Sequence, residues 1–204
     1  MMGCAEVCYD FRHVADYMIA SVVDVPAIGF PYDEMLPYLY AHSPENYAEA
    51  CRIYIDYYRD LRSQGYWGTM SLIDCRELET LGAMTRNQLE EHADGLASYD
   101  PVQAGLQQYG LNPYAPSFKY ISFDMKQFIK ELNNGTCPAS FEEQLSRTVL
   151  YAGYVENTYE YTIDGDNYCG LGMYVPVSTK SYWNEYFRTL EWYTDAGWGA
   201  AQAG

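Results

Sequence analysis

Few residues in this sequence could do chemistry, and they are scattered. Six cysteines (Cys4, Cys8, Cys51, Cys75, Cys137, Cys169) and three histidines (His13, His42, His92) are the candidate nucleophiles and bases. A thiol enzyme needs a thiolate beside an imidazole, both on fixed elements. His13 falls on the exposed side of the first helix, His42 precedes a helix cap and His92 ends a polar helix. None closes a buried parallel strand, where open α/β sheets place their sites. No complete Cys–His pair is therefore expected inside the chain, and no residue is assigned a catalytic role. Metal chemistry is no better supported: there is no CxxC and no Cys/His cluster with zinc spacing. Cys4 and Cys8 lie one helical turn apart, but no second pair follows, so packing is the reading. Cys75 ends an apolar run and reads as a small buried hydrophobe. Asp164-Gly165-Asp166-Asn167 has neither the length nor the terminal Glu of an EF-hand loop, which leaves turn chemistry. Asp24 has two readings. It ends an apolar run on the edge where a sheet of this kind has its ligand crevice. It is also a natural turn residue ahead of Pro26.

These residues need elements to hold them. Val7, Phe11 and Val14 predict an amphipathic helix starting almost at the first residue. It leads into Tyr17–Val23, a short apolar run that predicts a buried strand. A helix crossing to a buried strand is half of a parallel crossover unit, and the strand that should precede the helix is not in the sequence. The expectation is that the chain is the C-terminal part of a larger domain. Glu34–Leu39 predicts a short helix interrupted by Pro37. Ser43-Pro44 opens the next helix as cap and first residue, with Tyr47, Cys51, Tyr54 and Tyr58 inward and a stop near Gly65. Met70–Cys75 predicts a strand, and Asp74 a cap for a helix burying Leu78, Leu81 and Leu89. Residues 94–117, rich in Gly and Pro, predict an irregular insertion. Beyond them come a strand at Phe118–Phe123, helices at Asp124–Leu132 and Ser140–Tyr151, a hairpin of Thr158–Ile163 with Cys169–Val175, and a last helix at Tyr182–Trp192. Small residues close the sequence.

Several segments resemble the clostripain-like cysteine peptidases, caspase-fold enzymes of the gingipain and legumain clan. They are Met2-Gly3-Cys4-Ala5-Glu6-Val7, then Val14–Ser21, Gly29-Phe30-Pro31-Tyr32-Asp33, Ser71–Asp74, Gly170–Pro176, Glu191-Trp192-Tyr193 and Gly197-Trp198. The likeness runs along most of the chain and is weakest between Leu89 and Ser117. It implies an α/β fold, a caspase-like three-layer sandwich, here incomplete, with residues 1–204 as the C-terminal portion of one peptidase domain. In that family the nucleophile closes an Asp-x-Cys strand end just before the Met-Gly segment, and its histidine lies further upstream. The resemblance thus places both outside this chain. Asp74-Cys75 has the wrong spacing to replace them. The family's taste for Arg or Lys before the scissile bond makes Asp24 a candidate substrate-binding carboxylate, since guanidinium and carboxylate pair through two charge-assisted bonds. The resemblance also implies a peptide or protein substrate, the upstream half of the domain as partner, and export to the cell envelope or beyond. Some members depend on calcium, but no ligands can be assigned to it here.

Composition bounds the alternatives. At 204 residues, 49% hydrophobic and 20% charged, the chain is long enough for a sizeable core. A net charge of −16 excludes nucleic acid and anionic membrane as natural partners. No stretch approaches the roughly 20 apolar residues of a membrane span. The acidic surface suits basic peptides, or it is simply a solvated surface. Tyrosine stands out at 23 residues. Its rings read as half-buried helix and strand positions, or as an aromatic platform. The rival to a peptidase fragment is an acidic, Tyr-rich module that binds peptide or glycan without catalysis.

Overall fold

A computed structural model describes residues 2–96, 98–111, 119–156, 162–177 and 181–201. Its elements run α1 (Ala5–Phe11), β1 (Tyr17–Ala20), α2 (Tyr32–Leu39), α3 (Pro44–Asp60), β2 (Thr69–Asp74), α4 (Leu78–Glu91), α5 (Ala93–Leu96), β3 (Gln108–Leu111), β4 (Lys119–Asp124), α6 (Met125–Leu132), α7 (Ala139–Thr148), β5 (Val149–Tyr154), β6 (Gly172–Tyr174), α8 (Ser181–Phe187), α9 (Glu191–Asp195) and α10 (Trp198–Ala201).

Two three-stranded sheets form, in the orders β1-β2-β5 and β3-β4-β6, and every strand pair in them is antiparallel. β1 runs antiparallel to β2, Tyr17 facing Asp74 and Ala20 facing Ser71. Among the described residues the parallel contact is a bridge between Cys4 and Gly172. The stretch leading into α1 is itself extended, with Cys4 at φ −118°, ψ 148°. Met2 and Gly3 donate their N–H groups to the Ser21 carbonyl at 3.1 and 2.9 Å, and the Gly172 N–H donates to the Gly3 carbonyl at 2.8 Å. Residues 2–4 thus join the end of β1 to the start of β6, and through them one sheet to the other.

Side-chain alternation along the strands divides the core. β2 is buried throughout, the pattern of a strand covered on both faces. Met70 and Leu72, with Tyr17 and Ile19, meet Cys51, Tyr54, Ile55 and Tyr58 of α3 on one face. Ile73, with Met18 and Val149, belongs on the other face to the larger core of α1, α4, α6, α7 and α9. Helices therefore cover both faces of the first sheet, three layers in all. Arg12 stitches the larger core at its rim. Its guanidinium lies 3.8 Å over the Tyr9 ring and reaches Glu191 at 2.9 Å and Glu79 at 3.4 Å, with only 8% of its side chain exposed.

Most local expectations hold. Ser43 caps α3 by accepting from the Asn46 N–H, Leu78, Leu81 and Leu89 are buried, and Asp74 accepts from the Arg76 N–H at the turn that opens into α4. Four readings are corrected. α1 buries Ala5, Glu6, Cys8 and Tyr9, while Phe11 and Val14 are exposed; the face is chosen by packing on β6 and α9, not by the strongest local apolar spacing. α2 continues through Pro37, because Pro37 and Asp33 face solvent and water can satisfy the Asp33 carbonyl that lacks a partner. The helix expected to reach Tyr151 ends at Thr148, and Val149–Tyr154 pairs with β2 instead. The last helix breaks into α8 and α9. Within 94–117 the described part holds α5 and β3, with Leu106 and Tyr109 buried. The first strand of the expected hairpin falls mostly outside the described residues, and β6 pairs with β4.

The close approach at Gly3 yields the first expected outcome. A Cβ there would sit 2.9 Å from both the Ser21 carbonyl carbon and the Val22 nitrogen, both backbone atoms. Gly3→Ala should destabilise the chain by about 1–3 kcal/mol, the usual range for forced overpacking. Chemical denaturation of the variant beside the parent measures it; equal midpoints would mean that residues 2–4 do not hold the two sheets together.

Candidate functional site

The segment Ser21–Asp24 leaves the C-terminal end of β1, and four independent anchors hold it. Its Ser21 carbonyl takes the Met2 and Gly3 N–H groups described above. The buried Thr69 hydroxyl takes the Val22 N–H at 3.1 Å and lies 2.8 Å from the Ser21 hydroxyl. Ser21 Oγ donates to the Val23 carbonyl at 2.7 Å and accepts from the Val23 N–H at 3.3 Å. One proton arrangement satisfies all of these: Thr69 donates to Ser21, and Ser21 donates to Val23. Finally, the Trp67 indole N–H donates to the Asp24 carbonyl at 3.0 Å. Val22 and Val23 bury themselves with Tyr109 and Ile163, and Trp67, Tyr154 and Tyr168 pack against that cluster. Asp24 comes out half-buried where this segment ends.

Glu6 stands just inside. It is buried, and its carboxylate accepts from the Tyr174 N–H at 2.7 Å, tying the first turn of α1 to the end of β6. Burial raises its pKa to about 7, partly offset by that hydrogen bond. On the other side of the second sheet, Asp124 is fully buried and caps α6. It accepts from the Gln127 and Cys169 N–H groups, both at 2.9 Å, and from the Tyr109 hydroxyl at 2.6 Å. Desolvation raises its pKa too.

None of the thiols is activated. Burial pushes Cys4 up to about 12, Cys51 to about 12 and Cys75 to about 11, and raises Cys8, Cys137 and Cys169 as well. For Cys4 the neighbouring Glu6 adds to the effect. All six are free thiols. The histidines find other partners: His13 lies 3.9 Å from Glu79, His42 Nδ1 3.4 Å from the Tyr47 hydroxyl, and His92 Nε2 3.3 Å from Asn133. Among the described residues no cluster of three His, Cys, Asp or Glu is shaped to hold a metal ion. In the 164–167 turn the Asp164 carboxylate accepts from the Asp166 N–H and the Asn167 amide. An open cleft of about 540 Å³, lined by Asp16, Tyr17, Ile19, Leu39, His42 and Tyr47, lies towards the opposite end of β1 from Asp24. No helix among the described residues is long and apolar enough to cross a membrane.

β1 ends at Ala20 and not at Val23, so Asp24 lies four residues past the strand end, at the close of the anchored Ser21–Asp24 segment. The sequence reading missed Trp67, Thr69 and Glu6. No signal for the first two exists locally, because their partners lie 43 to 48 residues away. Glu6 carries a hint: it is a carboxylate flanked by Ala5, Val7 and Cys8.

The arrangement of helices on both faces of a small sheet, with loops gathered past a strand end, is that of the caspase-like cysteine proteases. A cysteine protease from B. fragilis superposes with a TM-score of 0.85 over 98% of this chain and 85% of its own, at 22% identity. The clostripain of Bacteroides thetaiotaomicron, solved in complex with the peptide inhibitor BTN-VLTK-AOMK, superposes at 0.73 over 96% of this chain and 82% of its own, at 28% identity. An inactive zymogen C11 protease from Parabacteroides distasonis superposes at 0.75 with 25% identity; this chain spans 96% of itself but only 56% of that protein. A sequence profile of the clostripain family matches residues 1–201. The chain belongs to the clostripain family. No curated protein matches its sequence.

Glu6 provides a pH test of the site's interior. Its folded pKa lies above the ordinary carboxylate value, so the folded state holds a proton that the unfolded chain has lost. Ionised Glu6 therefore costs stability as pH rises from about 4.5 to about 7, after which the cost is constant. Glu6→Gln keeps an oxygen for the Tyr174 N–H. Relative to the parent it should gain stability across that window, by about 2–3 kcal/mol at pH 8, with the difference gone at pH 4. Thermal melts of both proteins at several pH values check this; a difference independent of pH would mean Glu6 is not neutral-leaning in the fold.

Proposed function

We propose that this chain is the C-terminal portion of a cysteine endopeptidase that cleaves peptides after Arg or Lys, with its nucleophilic Cys and partner His supplied by sequence upstream of Met1. In the complete enzyme the thiolate attacks the scissile carbonyl once a cationic side chain has docked, and Asp24 is the carboxylate that receives it. One observation carries this reading: Met2 and Gly3 hydrogen bond to the carbonyl of Ser21, three residues before Asp24. The backbone that would follow the nucleophile is thereby tied to the segment that leads to Asp24. The neutral thiols and occupied histidines described above support assigning the catalytic pair elsewhere. The inhibitor bound by the Bacteroides thetaiotaomicron clostripain carries a peptide ending in lysine, which supports a basic specificity. A related protein is described as secreted, and export is the compartment assigned here.

Two outcomes are expected. The 204-residue chain alone should not turn over fluorogenic Arg or Lys peptides, with or without calcium, whereas the chain joined to its upstream sequence should. Thiol-dependent turnover by the isolated chain, abolished by Cys4→Ala, would place the nucleophile inside it. In the complete enzyme, Asp24→Asn leaves a guanidinium facing a neutral amide, a loss of about 2–5 kcal/mol for a truncated charge pair. Catalytic efficiency on Arg substrates should fall roughly 10-fold or more. Alkylation of the thiol by a small uncharged reagent should be unaffected. An unchanged Arg preference would return Asp24 to a plain turn role.

A further inference from the structure

We infer that Trp67 is a specificity-positioning residue: its indole N–H, bonded to the Asp24 carbonyl, fixes the peptide that carries the pocket carboxylate. The inference rests on the reading of Asp24 as the acid that receives the substrate's cation, and deepens it. Three features of the fold carry it. First, the Ser21–Val23 backbone is already held by Thr69 and Gly3, so the chain enters Asp24 from a fixed origin. Second, the next residues are held by a different part of the fold: Val25 packs against the core of α3, Pro26 is buried and the Gly29 carbonyl accepts from the Tyr58 hydroxyl at 2.5 Å, while Ala27 and Ile28 are exposed. The Trp67 bond, at 3.0 Å, therefore holds Asp24 between the Ser21–Val23 clamp and these separate contacts. Third, Trp67 is itself anchored, packing on the Val22, Val23, Tyr109 and Ile163 cluster two residues ahead of the buried Thr69. The same short segment, Trp67–Thr69, thus grips the loop at both Val22 and Asp24. A two-point grip from one rigid strand entrance sets the direction in which residue 24 projects, and a bidentate carboxylate–guanidinium pair is sensitive to direction.

Trp67→Phe keeps the packed ring and removes the donor. In the complete peptidase, efficiency on an Arg peptide relative to the same peptide with a neutral residue at that position should fall about 3- to 10-fold, the effect of losing one such hydrogen bond. The loss should appear mainly in KM. Alkylation of the nucleophilic thiol by a small uncharged reagent should keep its rate. The deciding measurement is the double-mutant cycle with Asp24→Asn. If Trp67 acts through Asp24, adding Trp67→Phe to the Asn variant should change the Arg preference by less than about twofold. A Trp67→Phe effect of equal size in both backgrounds would show that the residue acts by general folding or on its own account, and would overturn the inference. An unchanged Arg preference in Trp67→Phe, alongside a lost one in Asp24→Asn, would overturn it too while leaving Asp24 in its role. If Asp24→Asn itself keeps the preference, the pocket reading falls and this inference falls with it.

Discussion

The structure depends on one close approach. Gly3 lies against the backbone of Ser21 and Val22 at a distance that leaves no room for a side chain. Because the two segments can touch, the Ser21 carbonyl accepts from both Met2 and Gly3, and the Gly3 carbonyl is free to accept from Gly172 on the other side. Those three bonds connect two sheets that share no strand. They also set the starting point of α1, whose first turn then tucks Glu6 under Tyr174. A larger residue at position 3 would push the end of β1 away from residues 2–4 and so loosen its tie to β6.

Several polar groups are buried along this seam; the Ser122 hydroxyl beside Gly172 has no hydrogen-bond partner, but others find partners on another element. Asp124 gathers three donors from β3, the first turn of α6 and the approach to β6. Thr69 and Ser21 complete each other's hydroxyl bonds while holding the loop. Satisfied networks of this kind rigidify, since every alternative arrangement leaves a donor or acceptor unpaired in a medium of low polarity. The cysteines belong to the same interior but follow the opposite logic. Desolvation dominates and keeps them neutral, even at Cys137, where Lys126 and Lys130 act to favour the thiolate. None of the six lies beside an imidazole, and Cys4, at the N-cap of α1, is held neutral by burial and by the neighbouring Glu6 carboxylate.

The acidic surface is a separate matter. Many of its charges pair on exposed faces, as Arg52 does with Asp56 and Arg59 with Glu156, and such pairs add little to stability. Arg12 differs because its stem and guanidinium are sandwiched between the Tyr9 ring and carboxylates from α4 and α9. It works as a packing element with a charge, joining distant parts of the sequence at the rim of the larger core.

By itself the sequence determined the features that obey local rules. The Ser43-Pro44 cap and the stripe after it specify α3, Asp124 and Asp74 announce helix entries, and the apolar run from Tyr17 announces a strand. Each involves groups within a few residues of one another, where capping, periodicity and turn chemistry act. Tertiary structure decided the rest. Strand direction was its choice, since an apolar run reads the same whether its neighbour is parallel or antiparallel. So was the buried face of α1, where packing on β6 and α9 prevailed over the stripe of Val7, Phe11 and Val14. It turned Val149–Tyr154 from the tail of a helix into a strand, because the exposed backbone of β2 offered a ladder that a lone helical turn could not match. It also brought Trp67 and Thr69 to the loop of Asp24. Hydrogen bonds between residues more than 40 positions apart leave no periodic trace in a sequence; they exist only once both segments have been packed against the same cluster.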